Sequence, residues 1–287
     1  MSTKDPIVSY VILSALILLV FSCPLNAAQT NTFKFFPTTH LYPHYIANPI
    51  RSCFSFQTLN FSSSEIPQSS NERFDLNIGG ALGIARLQPT LHPDLGWELS
   101  LEAGFRGQFD REYSEDNVGW DGHYALFLDY RPSKQLAYRL GLHHTSSHIG
   151  DEYAERTGHQ RINYTRQEVR LGSTWSFTHH WQTYIEVASA YDLRNQVLQR
   201  AGRAEWGLQY DHTTYFSSHL GGYAALDISA YEENDWQRNS TLQIGISWPS
   251  QERRWRLGIE YYAGRSQLGE FFQYQERYLG LGLWLDL

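Results

Sequence analysis

Leu279-Gly280-Leu281-Gly282-Leu283-Trp284-Leu285-Asp286-Leu287 closes the chain, with leucine at every second position and glycine, tryptophan or aspartate between. Successive side chains of a β-strand point to opposite faces, so the stretch reads as one strand with a purely apolar face and a small or polar face. A soluble edge strand rarely carries leucine at every alternate position up to its last residue.

The same rhythm recurs upstream. Trp97, Leu99, Leu101, Ala103, Phe105 and Phe109 alternate with Glu98, Ser100, Glu102, Gly104, Arg106 and Gln108. Trp120, Tyr124, Leu126, Leu128 and Tyr130 alternate with Asp121, His123 and Asp129, and Val169, Leu171, Trp175 and Phe177 oppose Glu168, Arg170 and Thr174. Leu242, Ile244, Ile246 and Trp248, then Trp255, Leu257, Ile259 and Tyr261, repeat it. Aromatics gather at the ends of the apolar faces, where membrane interfaces place them. A β-sandwich is built from strands of about five or six residues, whereas these runs reach the roughly 9 to 11 residues of a tilted membrane strand. The expected fold is therefore all-β, an antiparallel transmembrane β-barrel in the bacterial outer membrane. Its last strand is the kind that the barrel-insertion machinery reads, with Leu287 in place of the usual final aromatic.

Strands are expected near 50–61, 74–86, 97–109, 119–130, 135–148, 161–177, 181–192, 202–212, 219–230, 240–248, 254–263 and 276–287. That makes twelve, an even number as single-chain bacterial barrels require; ten is the fallback, because residues 52–61 alternate poorly. With a periplasmic C-terminus, the short turns at 131–134, 178–180, 213–218 and 249–253 are periplasmic, and the longer segments 110–118, 149–160, 193–201, 231–239 and 264–275 are external. The turn at 87–96 is long for its side.

Residues 1–27 read as a secretory signal: Lys4, an apolar run over 7–21, then Ser22-Cys23-Pro24-Leu25-Asn26-Ala27-Ala28. The run is shorter than the roughly 20 residues of a spanning helix. An N-terminal anchor is the bland alternative, and Val20-Phe21-Ser22-Cys23 resembles a lipobox, which would acylate Cys23, although Phe21 and Pro24 depart from that pattern. Residues 28–49, with Pro37, Pro43 and Pro49, read as a periplasmic lead-in, and 50–287 as the barrel. Cys23 and Cys53 leave no disulfide once the signal is removed. The net charge of -7, unchanged by removal of Lys4 and Asp5, argues against nucleic acid. Mean hydropathy is only -0.46, while aromatics make up 15% with 9 Trp and 19 Tyr, which suits a barrel with lipid outside and polar groups inside. Facing one another in the lumen, Glu98, Glu102, Arg106, Asp121, Asp129, Arg139, Arg166, Glu168, Arg170, Glu186, Arg203, Glu205, Arg256 and Glu260 predict a filled interior of ion pairs rather than an open pore.

One stretch stands apart: Leu142-His143-His144-Thr145-Ser146-Ser147-His148-Ile149-Gly150-Asp151-Glu152, followed by Arg161-Ile162-Asn163. It resembles an uncharacterised family of bacterial outer-membrane proteins over about residues 95–215, a family that implies location and fold but no activity. More loosely it resembles outer-membrane phospholipase A, a barrel with a His-x-Ser-Asn-Gly motif and an Asn on the next strand. That resemblance implies His144 as base, Ser146 as nucleophile and Asn163 as the residue orienting the His, with calcium and homodimerisation as regulators. Ser147 and His148 stand where Asn and Gly belong, and Asn163 lies farther along than the family's spacing. From register alone, His144 and Ser146 continue the outward face of Leu136, Tyr138, Leu140 and Leu142, and Asn163 continues that of Val169 and Leu171. All three are expected on the lipid side at the external ends of neighbouring strands, within reach of outer-membrane lipids. Headgroup depth also tolerates such residues without any chemistry. His148, Asp151 and Glu152, with His144, could instead gather round a divalent ion, although the spacing matches no strong metal motif. His179-His180 read as solvated turn residues. Three functions stay open: a barrel with a structural, binding or transport role and no cofactor, a lipid esterase, or a soluble exported β-protein.

Overall fold

The computed structural model describes residues 30–250 and 253–286, so the expected signal at 1–27, Cys23 and Leu287 lie outside the described residues. The elements in chain order are β1 (Asn31–Phe35), β2 (Phe54–Ser64), β3 (Glu72–Pro89), β4 (Gly96–Asp110), β5 (Asp116–Arg131) and β6 (Leu136–Ile149). A short helix α1 (Asp151–Thr157) precedes β7 (Thr165–Ser176), β8 (Trp181–Leu193), β9 (Gly202–Ser217) and β10 (Leu220–Tyr231). Then come β11 (Arg238–Ser250), β12 (Arg253–Arg265) and β13 (Gln275–Asp286). From β2 onward every strand pairs antiparallel with its sequence neighbours, and β13 pairs back onto β2 from Glu276↔Ser64 to Leu285↔Phe54. The sheet is thus a closed barrel of twelve strands, not ten, although β2 begins at Phe54 rather than at residue 50. Leu279 and Leu281 are more than half exposed on the outside, while Gly280, Gly282 and Trp284 face inward and are buried. Trp97 stacks on Tyr130 at 4.2 Å and Trp181 packs against Tyr210 at 5.0 Å, part of an aromatic belt at the short-turn end.

The thirteenth strand corrects one expectation. β1 pairs with the Ala85–Pro89 end of β3, and β2 pairs with its Glu72–Asn77 end. Both run antiparallel to β3, so they are two pieces of one strand position. Between them the chain leaves the wall at Phe36, whose φ is 49°, and enters the barrel. Residues 37–49 are therefore a plug, not a periplasmic lead-in. Prolines cannot donate to a β-ladder, which suits a linker and a plug equally; what settles the matter is that lumen side chains take over the backbone partners. Glu98 accepts from the Leu41 amide at 3.3 Å, Gln209 accepts from Ile46 at 3.1 Å and donates to the His44 carbonyl at 3.1 Å, and Arg106 donates to the Pro49 carbonyl at 3.1 Å. His40 Nδ1 lies 2.7 Å from Glu98, and Tyr45 stacks on Tyr184 at 3.6 Å. Gly172 in β7 leaves the space that the Tyr42 hydroxyl needs, since a Cβ there would lie 2.5 Å from it.

The wall supplies the rest of the filling. Arg203 contacts Glu168 at 3.1 Å, Glu186 at 2.7 Å and Glu205 at 2.7 Å; Arg170 contacts Glu186 at 2.5 Å and Arg166 contacts Glu168 at 2.7 Å. Arg139 joins Glu102 and Asp129, Arg106 joins Asp75, and Arg256 joins Asp286. Voids of about 70, 30 and 20 Å³ between plug and walls hold only a few waters.

Removing Arg203 from this network strands Glu205 as a buried charge without its arginine and leaves Glu168 and Glu186 with Arg166 and Arg170 alone. Arg203→Ala leaves three carboxylates without their shared cation, and a loss of roughly 3–5 kcal/mol is expected. Urea unfolding in detergent, followed by heat-modifiable gel migration, checks it; a shift no larger than that of Arg253→Ala, an exposed arginine, would show that the network contributes little.

Candidate functional site at the long-loop rim

The stretch around Ser146 lies at the long-loop end of β6, where alternation splits it between two environments. His143, Thr145 and Ser147 point into the barrel; His144, Ser146 and His148 point out from its wall.

The inward residues build a cap. Ser147 Oγ donates to Asp121 of β5 and accepts from the Glu270 amide at 2.8 Å, while Asp121 also accepts from the Gly269 amide at 3.1 Å. The Glu270 carboxylate then accepts from the Ile162 amide at 2.7 Å and the Tyr164 amide at 2.9 Å. One chain of hydrogen bonds thereby ties the β12–β13 loop to β6 and to the β6–β7 loop. Over it lies an apolar cluster of Ile66, Val118, Tyr153, Leu268 and Phe271, all buried. Tyr153 comes from α1, and burial pushes its hydroxyl up to about 12. Gly150 opens that helix because a Cβ would lie 1.7 Å from the Asn117 carbonyl oxygen. Beneath the cap, burial raises the Glu233 carboxyl above its ordinary value, partly offset by Arg166, and Tyr164 donates to it at 2.9 Å.

The outward residues form a pair, but not the expected one. Ser146 Oγ lies 3.0 Å from Nε2 of His148. His144 instead stacks on Tyr124, its partner across the ladder, with centroids 4.6 Å apart, and its Nδ1 has no hydrogen-bond partner. Ser146 has a histidine two residues away on either side, and its alternation could not say which one the neighbouring strand would occupy. Trp120 stacks on His148 at 4.0 Å and holds it with an edge free for Ser146. Asn163 is not brought into the set. β7 begins at Thr165, which stands opposite Ser146, and Asn163 is exposed in a left-handed turn with φ 58°. The divalent-ion set does not assemble either. His148 faces lipid while Asp151 and Glu152 are solvent-exposed on the first turn of α1, and among the described residues no three His, Cys, Asp or Glu converge as ligands. Sequence reasoning missed the Ser147–Asp121–Glu270 chain because the amide that donates to Ser147 comes from a loop more than a hundred residues away.

A closed twelve-strand antiparallel barrel, apolar outside and ionic inside, is an outer-membrane-type β-barrel. Residues 23–286 match the family described as "Protein of unknown function (DUF1207)", and the chain belongs to that family. No curated protein matches it by sequence. Among solved structures it is similar to outer membrane phospholipase A from Escherichia coli, at 12% identity and TM-score 0.55, over 84% of this chain and 94% of that one. It is also similar to the Salmonella typhi outer membrane phospholipase dimer with bound calcium, at 13% identity and TM-score 0.54, over 86% and 95%. At these identities the likeness is one of fold.

If Glu270 fastens the rim, Glu270→Ala leaves two amides without acceptors and frees the β6–β7 loop. Trypsin cleavage after Arg161 should then accelerate by roughly tenfold or more, from about 1–3 kcal/mol lost per stranded group. Glu152→Ala, on the exposed turn, should leave the rate unchanged.

Proposed function

We propose that this protein is a sealed, non-conducting barrel of the bacterial outer membrane whose role is structural or lipid-binding and is exercised on its outer surface. The observation that carries this reading is the occupied lumen: a plug bonded to the wall, an arginine–carboxylate network around it, and a cap fastened by Glu270. No continuous water path is expected through that filling. Purified, heat-modifiable protein in planar bilayers should show no stable conductance, and replacing residues 38–50 with a short Gly-Ser linker should produce stepwise currents. Large stable currents from the unaltered chain would overturn it.

A second reading is favoured by one contact, the 3.0 Å approach of Ser146 Oγ to His148 Nε2 on the lipid face. In an acyl hydrolase, His148 would take the Ser146 proton as Oγ attacks an ester carbonyl and would return it to the leaving alcohol. The fold likeness to outer membrane phospholipases points the same way. Glu270 and Asp121, the carboxylates inside the cap, are engaged by backbone amides and the Ser147 hydroxyl and supply no step for calcium. The step above is therefore drawn without it. Under this reading Ser146→Ala and His148→Ala lose phospholipid hydrolysis by roughly 10²-fold or more, His144→Ala keeps it, and all three stay folded. No hydrolysis by the folded wild type, with or without added calcium, leaves the non-catalytic reading standing.

A further inference from the structure

The outer face of the last three strands is organised in rows. Register sets Ile246, Leu257 and Leu283 side by side, then Ile244, Ile259 and Leu281, then Leu242, Tyr261 and Leu279. Ile244, Ile259 and Leu281 are each about half exposed, in a continuous apolar strip running up toward the external rim. The next row is Ser240, Ala263 and Arg277. Two residues farther on, Arg238 starts β11 and Arg265 ends β12 on the same face. Because Ser240 and Ala263 are small, a hollow of about 390 Å³ opens between Tyr261 below and the three arginines above.

Those arginines lack counter-charges. Among the described residues no carboxylate lies within ion-pair distance of any of them, whereas Arg111 on the same rim meets Glu72 at 2.8 Å and Arg156 meets Asp116 at 3.2 Å. Glu65, which neighbours the hollow, uses Oε2 to accept the Gln275 amide at 2.8 Å. Arg265 is braced by the Gln273 carbonyl and by Gln237 Oε1 at 3.0 Å, and its Nε has no partner. A chain of net charge -7 has no general attraction for anions, so this local excess is specific to the patch.

We infer that this surface is a binding site for a phosphate-bearing, multiply acylated lipid of the outer leaflet. The phosphate sits in the hollow among Arg238, Arg265 and Arg277, and the acyl chains lie along the strip of Ile244, Ile259, Leu279 and Leu281. Guanidinium forks match phosphate oxygens two at a time, and only an amphiphile covers an apolar strip and an adjoining cationic hollow together. The inference rests on the membrane reading of the barrel and goes beyond it by naming the headgroup.

The test uses the full-length barrel in phosphatidylcholine nanodiscs containing a minority of either bis-phosphorylated lipid A or its dephosphorylated form. Lipid retained after stringent washing is quantified by mass spectrometry. The wild type should retain the phosphorylated form in preference, and Arg238→Ala/Arg277→Ala should cut that retention roughly tenfold. Arg265 is left intact in that variant because it braces the rim, and heat-modifiable migration confirms folding. Arg238→Lys/Arg277→Lys should recover part of the binding, as charge returns without the fork. Equal retention of both lipids, an unchanged double variant, or displacement of lipid A by inorganic phosphate alone would overturn the site. Failure of the membrane reading would look different: no nanodisc incorporation and no heat-modifiable shift, before any lipids are compared.

Discussion

The pairing of β13 with β2 is the constraint from which the rest follows. In hydrocarbon an unpaired strand edge leaves its N–H and C=O groups without water, at several kcal/mol each, so a spanning sheet has to close on itself. Closure assigns the two faces of every strand at once. Leu279, Leu281, Ile259 and Ile244 are driven out to lipid, and whatever alternates with them, including Arg256, Glu260 and Gln243, is enclosed. The inner face is polar because outward positions have consumed the apolar residues, and polar groups once enclosed need partners.

Those partners come from two sources because of the barrel's width. Eight strands leave an interior that wall side chains alone can fill; twelve leave more. Here arginines reach across the space to carboxylates on neighbouring strands, Arg203 serving three of them, and the chain's own N-terminal segment occupies the remainder. β1 shows how that segment is held. By continuing the strand position of β2 along β3, it anchors the near end of the plug in the wall, so residues 36–53 form a loop tied at both ends rather than a free arm.

Strand number, the facing of each strand and the inward charges were legible because they depend on period-two alternation, which is local. The leucines of β13 declare their face within nine residues, and Glu168 and Arg170 declare theirs beside Val169 and Leu171. The plug was not legible. Pro37, Pro43 and Pro49 exclude a ladder, but nothing local distinguishes a backbone bonded by water from one bonded by Gln209 and Glu98. The candidate site failed in the same way. Outward placement of His144 and Ser146 was correct, yet the choice between His144 and His148 as the partner of Ser146 depended on Tyr124 and Trp120 across the ladder, and Asn163 depended on where β7 starts.

The Ser146 stretch therefore contains two devices interleaved on one strand. Ser147 and Gly150 are accounted for by the cap: one bridges Asp121 and Glu270, and the other alone fits against Asn117. Their presence says nothing about chemistry, since a purely structural rim needs them. Only the outward positions bear on catalysis, and of these His144 is accounted for by its stack on Tyr124. What is left without a structural reason is the hydrogen bond between Ser146 and His148. A polar pair turned to the lipid side at headgroup depth costs little, but packing does not demand it either, so the case for hydrolysis rests on that contact and not on the length of the motif around it.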